Sequence, residues 1–296
     1  MDSAALSDLK EVSKLIRDNV DERLDQGLEM AVVDSFASHI RALTTHFTQT
    51  PDLVHDRLKI HLHDAWYTCI QAAKIIDSCD NLQEVIVSQL LAVRTLGPLQ
   101  PVAGETASIT FSDGYTLWSG LPLFAQDLAQ EFASHHYKKG IFKREQQQNL
   151  AGFIGRLLSV GIYDGPAVCA LSIFREALEV PRPLTQDPDS EEIPLEELLG
   201  LLGELINQTK YSLPILAGNH VAAPTTPSSY QHLSGLGELA IQAGNIPLSG
   251  YSPERWTFWL QRLMELSQCG VKNITDDAET FRSWLIEKQN MTGLLK

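Results

Sequence analysis

Residues 24–47, LDQGLEMAVVDSFASHIRALTTHF, set Leu24, Leu28, Val32, Phe36, Ile40, Leu43 and Phe47 at spacings of three and four. Those spacings put all seven side chains on one face of an α-helix of roughly seven turns, with the polar residues opposite. Working outward, a shorter helix from Ser7 to about Arg17 precedes this one. Downstream, Thr50 reads as a cap, Pro51 as the first helical residue, and Asp52 as a charge suited to the N-terminal dipole. The helix they open carries Val54, Leu58, Leu62, Trp66, Cys69, Ala73 and Ile76 on its inner face. Asn81 with Glu84 resembles a capping box and opens a third helix through Leu82, Ile86, Leu90 and Val93. Connections this short predict antiparallel neighbours.

The pattern then breaks. Residues 97–118, GPLQPVAGETASITFSDGYTLW, hold two prolines, three glycines and the most strand-like stretch of the chain. Ser112-Asp113-Gly114, between Ile109–Phe111 and Tyr115–Trp118, suits a small hairpin. Helices resume near 121–137, 143–160, 165–180, 194–209, 229–243, 252–269 and 276–289, with Asp164, Ser252 and Thr275 as N-caps and Pro253 at a first helical position. PRPLTQDPDSEE (181–192) and AGNHVAAPTTPSS (217–229) read as exposed linkers. The expected fold is all-α: about ten helices, a long-helix N-terminal bundle over 1–98 packed on a shorter helical array over 121–296. Residues 99–120 are read as the linker, with at most one small hairpin.

Composition narrows the function classes. The formal charge is -14, from 37 acidic against 23 basic residues, a surface that repels a phosphate backbone unless its cations cluster. The compact basic run, Lys138, Lys139, Lys143 and Arg144, is followed at once by Glu145, so nucleic acid is not expected as a partner. No stretch approaches the ~20 apolar residues of a membrane span, and the polar, acidic start MDSAALSDLKEVSK is unlike a secretory signal. Cys69, Cys79, Cys169 and Cys269 are scattered. With Cys69 and Cys79 on one helix about 15 Å apart, reduced thiols and a cytoplasmic or nuclear location are expected. The sequons at Asn207, Asn273 and Asn290 are then chance occurrences.

Signatures of common chemistry are absent: the sequence has no phosphate-binding glycine loop, nucleophile elbow, dinucleotide fingerprint or paired-cysteine zinc pattern. His55, Asp56, His61, His63 and Asp64 fall close together, but opposite the apolar stripe of their helix. A polar face turned to water is the expectation there, with no metal and no cofactor; a base role for His61 or His63 is the lesser reading. His39 and His46 share a face and suit a helix contact, while His135-His136 diverge. Asp276, Asp277 and Glu279 directly after Thr275 suit a helix N-terminus rather than magnesium.

The most distinctive segment is GYSPERWTFWLQRLMEL, 250–266. Arg255, Trp259 and Arg262 fall at i, i+4 and i+7, so guanidinium groups can lie over an indole, with Trp256, Leu260 and Leu263 toward the core. An arginine held over tryptophan makes a receptor for carboxylate or phosphate, and equally a structural partner for a buried glutamate. Both readings stand at this level. Asn149, Phe153 and Arg156 pose the same alternative on another helix.

Three motifs together resemble an uncharacterised fungal family, the domain of unknown function 3632. They are Trp118, Leu121 and Pro122; Asn149, Phe153, Arg156 and Leu157; and Gly250, Tyr251, Ser252, Arg255, Trp256 and Trp259. The likeness covers roughly residues 115–270, with one departure: Leu239 and Ala240 stand where a tryptophan is frequent before the pair Ala243-Gly244. The resemblance implies an all-helical protein without an established activity, some of whose relatives look like accessories of secondary-metabolite pathways. Two functions are expected on these grounds. One is an accessory protein acting on a protein partner. The alternative binds or converts a small anionic metabolite in a pocket between the helical halves, near Trp118, Arg156, Arg255 and Trp259.

Overall fold

Gly27 interrupts the stripe that runs from Leu24 to Phe47. In the computed structural model, which describes residues 3–49, 55–97, 111, 116–135, 137, 143–186, 191–221 and 233–293, α1 covers Ser3–Asp25 and α2 covers Glu29–Gln49. Gly27 has φ +71°, its N–H donates to the Leu24 carbonyl at 3.0 Å, and the Leu28 N–H donates to the Arg23 carbonyl at 2.9 Å. This paired closure around a left-handed glycine ends a helix. The single seven-turn helix expected from the period is therefore two helices, and the first reaches well beyond Ser7–Arg17. Leu28, re-aimed by the turn, is 46% exposed, while Val32, Phe36, Ile40 and Leu43 stay buried.

α3 (His55–Ile75) packs against both α1 and α2. Its stripe of Leu58, Leu62, Trp66, Cys69 and Ala73, with Ile76 just beyond, is buried as expected. The cap expected at Thr50-Pro51-Asp52 lies outside the described residues. Because α3 ends before Cys79, that thiol sits exposed on a turn rather than on the helix of Cys69. Asp80, not Asn81, caps α4 (Asn81–Thr95), accepting the Leu82 N–H at 2.8 Å. Buried Gln83 ties the two helices together, donating Nε2 to the carbonyls of Ala73 and Ile76 at 3.1 and 2.9 Å.

Most of the stretch that suits a hairpin lies outside the described residues. At its last residue and just beyond, the backbone adopts an unusual state: Trp118, Leu121 and Leu123 have φ of +70°, +48° and +67°. Left-handed backbone costs a side-chain-bearing residue ~1–2 kcal/mol, so burial must hold it there. All three side chains are buried, and Trp66 donates Nε1 to the Pro122 carbonyl at 2.8 Å while its ring meets Phe124 edge-on at 5.3 Å.

The chain separates into two compact units, Met1–Asp127 and Leu128–Lys296, the division falling within α5 (Phe124–His135). The second unit holds α6 (Arg144–Ser159), α7 (Pro166–Phe174), a π-helical turn (Arg175–Glu179), α8 (Leu195–Thr209), α9 (Ser212–Gly218), α10 (Glu238–Ala243), α11 (Pro253–Leu266) and α12 (Lys272–Thr292). α9 has no counterpart among the expected helices. Gly165 rather than Asp164 stands before α7, with Pro166 first in the helix. Val271 rather than Thr275 stands before α12. Asp276, Asp277 and Glu279 therefore fall beyond the first turn, where the dipole argument does not apply.

α6 and α8 approach closely because Gly155 faces α8 without a side chain. A Cβ there would lie 2.6 Å from the Leu205 carbonyl oxygen and 2.7 Å from Gln208 Cβ. Among the described residues there is no strand; an isolated antiparallel bridge joins Gly235 and Ser249. The protein is all-α, and no described helix is long and apolar enough to cross a membrane.

Candidate functional site

Gly250, at φ +81°, and Tyr251 lead into α11, and the Tyr251 N–H donates to the Val221 carbonyl at 3.0 Å. The Tyr251 hydroxyl donates to the Ala167 carbonyl at 2.7 Å, anchoring the segment to α7. Ser252 caps the helix by accepting the Arg255 N–H at 3.1 Å, and Pro253 occupies the first turn, both as the sequence suggests. Trp256 is buried and donates Nε1 to Gln289 of α12 at 3.0 Å. Leu263 is buried beside it, and Leu260 only half-buried.

Arg255 faces a glutamate. Its guanidinium donates from Nε to Glu179 Oε1 at 2.7 Å and from Nη2 to Glu179 Oε2 at 2.9 Å, and neither side chain is exposed at all. Nη1 donates to the carbonyls of Ser234 and Gly250 at 3.0 and 2.9 Å, and Nη2 also to that of Gly235 at 2.9 Å. All five guanidinium protons are thereby taken. Glu179 is equally complete: Oε1 also accepts Trp259 Nε1 at 2.7 Å, and Oε2 accepts the Gly237 N–H at 2.9 Å. The Arg255 guanidinium lies 5.8 Å from the Trp259 ring, which stacks on Phe174 at 4.3 Å and meets Tyr251 edge-on at 6.2 Å.

Such a network is stable in a dry interior because no charge and no polar atom within it is left over. Its geometry depends on the π turn, which ends as Val180 N–H returns to the Arg175 carbonyl at 3.1 Å. It depends also on Gly237, where a Cβ would lie 2.6 Å from the Glu179 backbone. Within the same π turn, Glu176 pairs with Arg175 and Arg182. Arg262, expected over the same indole, pairs instead with Glu265 at 2.9 Å. Of the remaining expected site residues, Arg156 is half-buried on α6 of the second unit. Trp118 belongs to the first unit, is fully buried, and its Nε1 has no partner among the described residues.

The first unit holds a second constellation, which the helical periodicity of α3 reveals only in part. His63 does not simply point to water: its Nδ1 bonds both carboxylate oxygens of Asp127 at 2.8 Å. Burial holds the Asp127 carboxyl above the ordinary range, against the lowering effect of its bond to His63. Asp64, also expected on a wet face, is 1% exposed and accepts Ser13 Oγ at 2.6 Å and Arg17 Nε at 2.8 Å through Oδ1. Asp56 is exposed, as expected, and the His55 side chain lies outside the described residues. His61 instead meets His39 edge-on at 6.0 Å, a contact between α3 and α2. Between α1 and α3 lies a groove of about 490 Å³ whose lining includes Lys10, Lys14, Arg17, Asp18, Asp21 and His63. Lys10, Lys14 and Arg17 recur at i, i+4 and i+7, a charged stripe the sequence displays plainly.

Residues 66–263 match a family described as a protein of unknown function, DUF3632. The chain belongs to this family. The DUF3632 match begins within α3, some fifty residues before the stretch that carries the resemblance in sequence, and takes in α11 nearly to its end. The matched stretch includes Glu179, Gly237 and Arg255 of the buried network. The chain is also 27% identical over 255 residues to oxopyrrolidines biosynthesis cluster protein G of Penicillium oxalicum, covering 79% of this chain and 69% of that one. No solved structure matches it.

Proposed function

We propose that this chain is an accessory protein of a fungal secondary-metabolite pathway that works on a protein partner. The reading is carried by the likeness, across 79% of the chain, to a protein named for a biosynthesis cluster. The geometry supports a non-catalytic role for the 250–259 segment, because every donor of Arg255 and every acceptor site of Glu179 is committed inside the protein. A ligand could reach that arginine only by displacing a buried carboxylate, which leaves one charge unpaired in a dry interior.

Two measurements test the role. Deletion of the gene in its host, with extracts compared by mass spectrometry, is expected to remove or truncate one related set of metabolites, restored by complementation. Mixing the purified protein with the products of neighbouring genes is expected to shift one of them in size-exclusion chromatography with light scattering. Unchanged extracts while the gene is transcribed, or no co-elution with any neighbouring product, would sink the proposal.

A further inference from the structure

We infer that the groove between α1 and α3 of the first unit binds a small monocarboxylate, held by Lys10, Lys14 and Arg17 and met by His63. This goes beyond the accessory role and lies outside the 250–259 segment. Four observations support it.

The cations are available. Lys10 and Lys14 are exposed with no partner among the described residues. Arg17 commits Nε to Asp64 and lays its guanidinium 5.0 Å from the Tyr67 ring, leaving its terminal nitrogens free to fork a planar carboxylate.

The arginine is also preorganised. Asp64, 1% exposed, fixes it from behind, and Ser13 fixes Asp64, so little side-chain freedom is lost on binding.

His63 is oriented too. Asp127 holds Nδ1, which leaves Nε2, without a protein partner among the described residues, as the ring nitrogen available to the groove that His63 helps to line. A carboxylate–imidazole pair of this kind sets the tautomer and aims the free nitrogen, which donates to an incoming carboxylate only when the ring carries its second proton.

Charge limits the occupant. The lining sets Lys10 and Lys14 against Asp18 and Asp21, the latter accepting the Tyr67 hydroxyl at 2.8 Å, while Asp64 already answers Arg17. With no surplus positive charge, a single negative group is the most this lining admits, and a phosphate dianion would set two charges against three carboxylates.

The test uses the full chain with benzoate as probe and inorganic phosphate as comparison, following the His63 Hε1 resonance, assigned with His63→Gln. Benzoate is expected to move that resonance saturably at low ionic strength. Lys14→Gln, which alters an exposed and unpartnered side chain, is expected to weaken binding about tenfold, the loss of one charge-assisted contact. Arg17→Gln is expected to abolish it. No saturable shift, an unchanged dissociation constant in the Lys10→Gln/Lys14→Gln double variant, or phosphate binding as tightly as benzoate would overturn the inference. None of these outcomes depends on the metabolite profile of a deletion strain, so this inference and the accessory role can fail separately.

Discussion

Glu179 and Arg255 meet side-on, two hydrogen bonds of 2.7 and 2.9 Å joining residues that stand 76 positions apart. Such a pair fixes the fold less by its own strength than by what happens when half of it is removed. Arg255→Lys keeps the charge but not the fork, and its three donors leave at least two of the five buried acceptors unmet. Equilibrium denaturation in urea is expected to show a loss of about 3–5 kcal/mol, with Glu179→Gln similar. Trp259→Phe removes one donor only and is expected to cost about 1–2 kcal/mol. A loss below about 1 kcal/mol in Arg255→Lys would contradict the burial described.

Gly237→Ala and Gly155→Ala test close backbone approach rather than charge. Each new methyl falls 2.6 Å from backbone atoms, of Glu179 and of Leu205 respectively, too near for any rotamer to relieve. Overpacking of about 1–3 kcal/mol is expected for each, read as a fall in melting temperature. Gly27→Ala instead forces a left-handed φ of +71° on a residue with open space around it. It is expected to cost about 1 kcal/mol, the smallest of the three.

Acid is expected to loosen the first unit through His39 and His61. Burial lowers both from an ordinary value of 6.5; His61 lowers His39 further, and Arg57 and His46 lower His61, while Asp64 opposes the shift in each. A depressed folded value means that the fold prefers neutral rings. Their contribution is complete above pH 6.5 and is lost as pH falls through the depressed values. Urea titrations at stepwise lower pH should show stability falling across that window, and His39→Gln should flatten the slope. A slope that His39→Gln leaves untouched would exclude this pair as its source.

Thiol reactivity should follow exposure. Cys79 is exposed on its turn, Cys269 is partly covered, and Cys69 and Cys169 are fully buried, their thiols pushed well above the ordinary range by burial. A disulfide-exchange reagent is expected to titrate Cys79 first and Cys269 more slowly, with the other two reacting only on unfolding. Rapid reaction of all four would contradict the packing of α3 and α7.

Most helices of this chain are legible in its sequence because their stripes are local, although α9 (Ser212–Gly218) is not. Leu58, Leu62, Trp66, Cys69 and Ala73 announce α3 by spacing alone, and all are buried. The break at Gly27 is not legible, since Leu28 keeps the four-residue step straight through it and only the left-handed φ reveals the stop. Ser252 and Pro253 declare the start of α11, whereas α12 begins at Lys272 without a side-chain cap to announce it. In the site, the indole beside Arg255 can be read from i and i+4, but Glu179 cannot, because a partner 76 positions away leaves no periodic trace. Asp64 misleads for a related reason: it lies off the apolar stripe of α3, yet it is covered by Ser13 and Arg17 of α1.

That long span in sequence has a consequence for synthesis. A ribosome delivers Glu179 well before Arg255, and Gln289, which holds the neighbouring Trp256, follows later still. Until then an acidic side chain destined for a dry interior stays hydrated and holds that interior open. Maturation of the second unit is thus deferred until α11 has been made, and chains truncated ahead of α11 should emerge as substrates for chaperones rather than as a smaller stable domain.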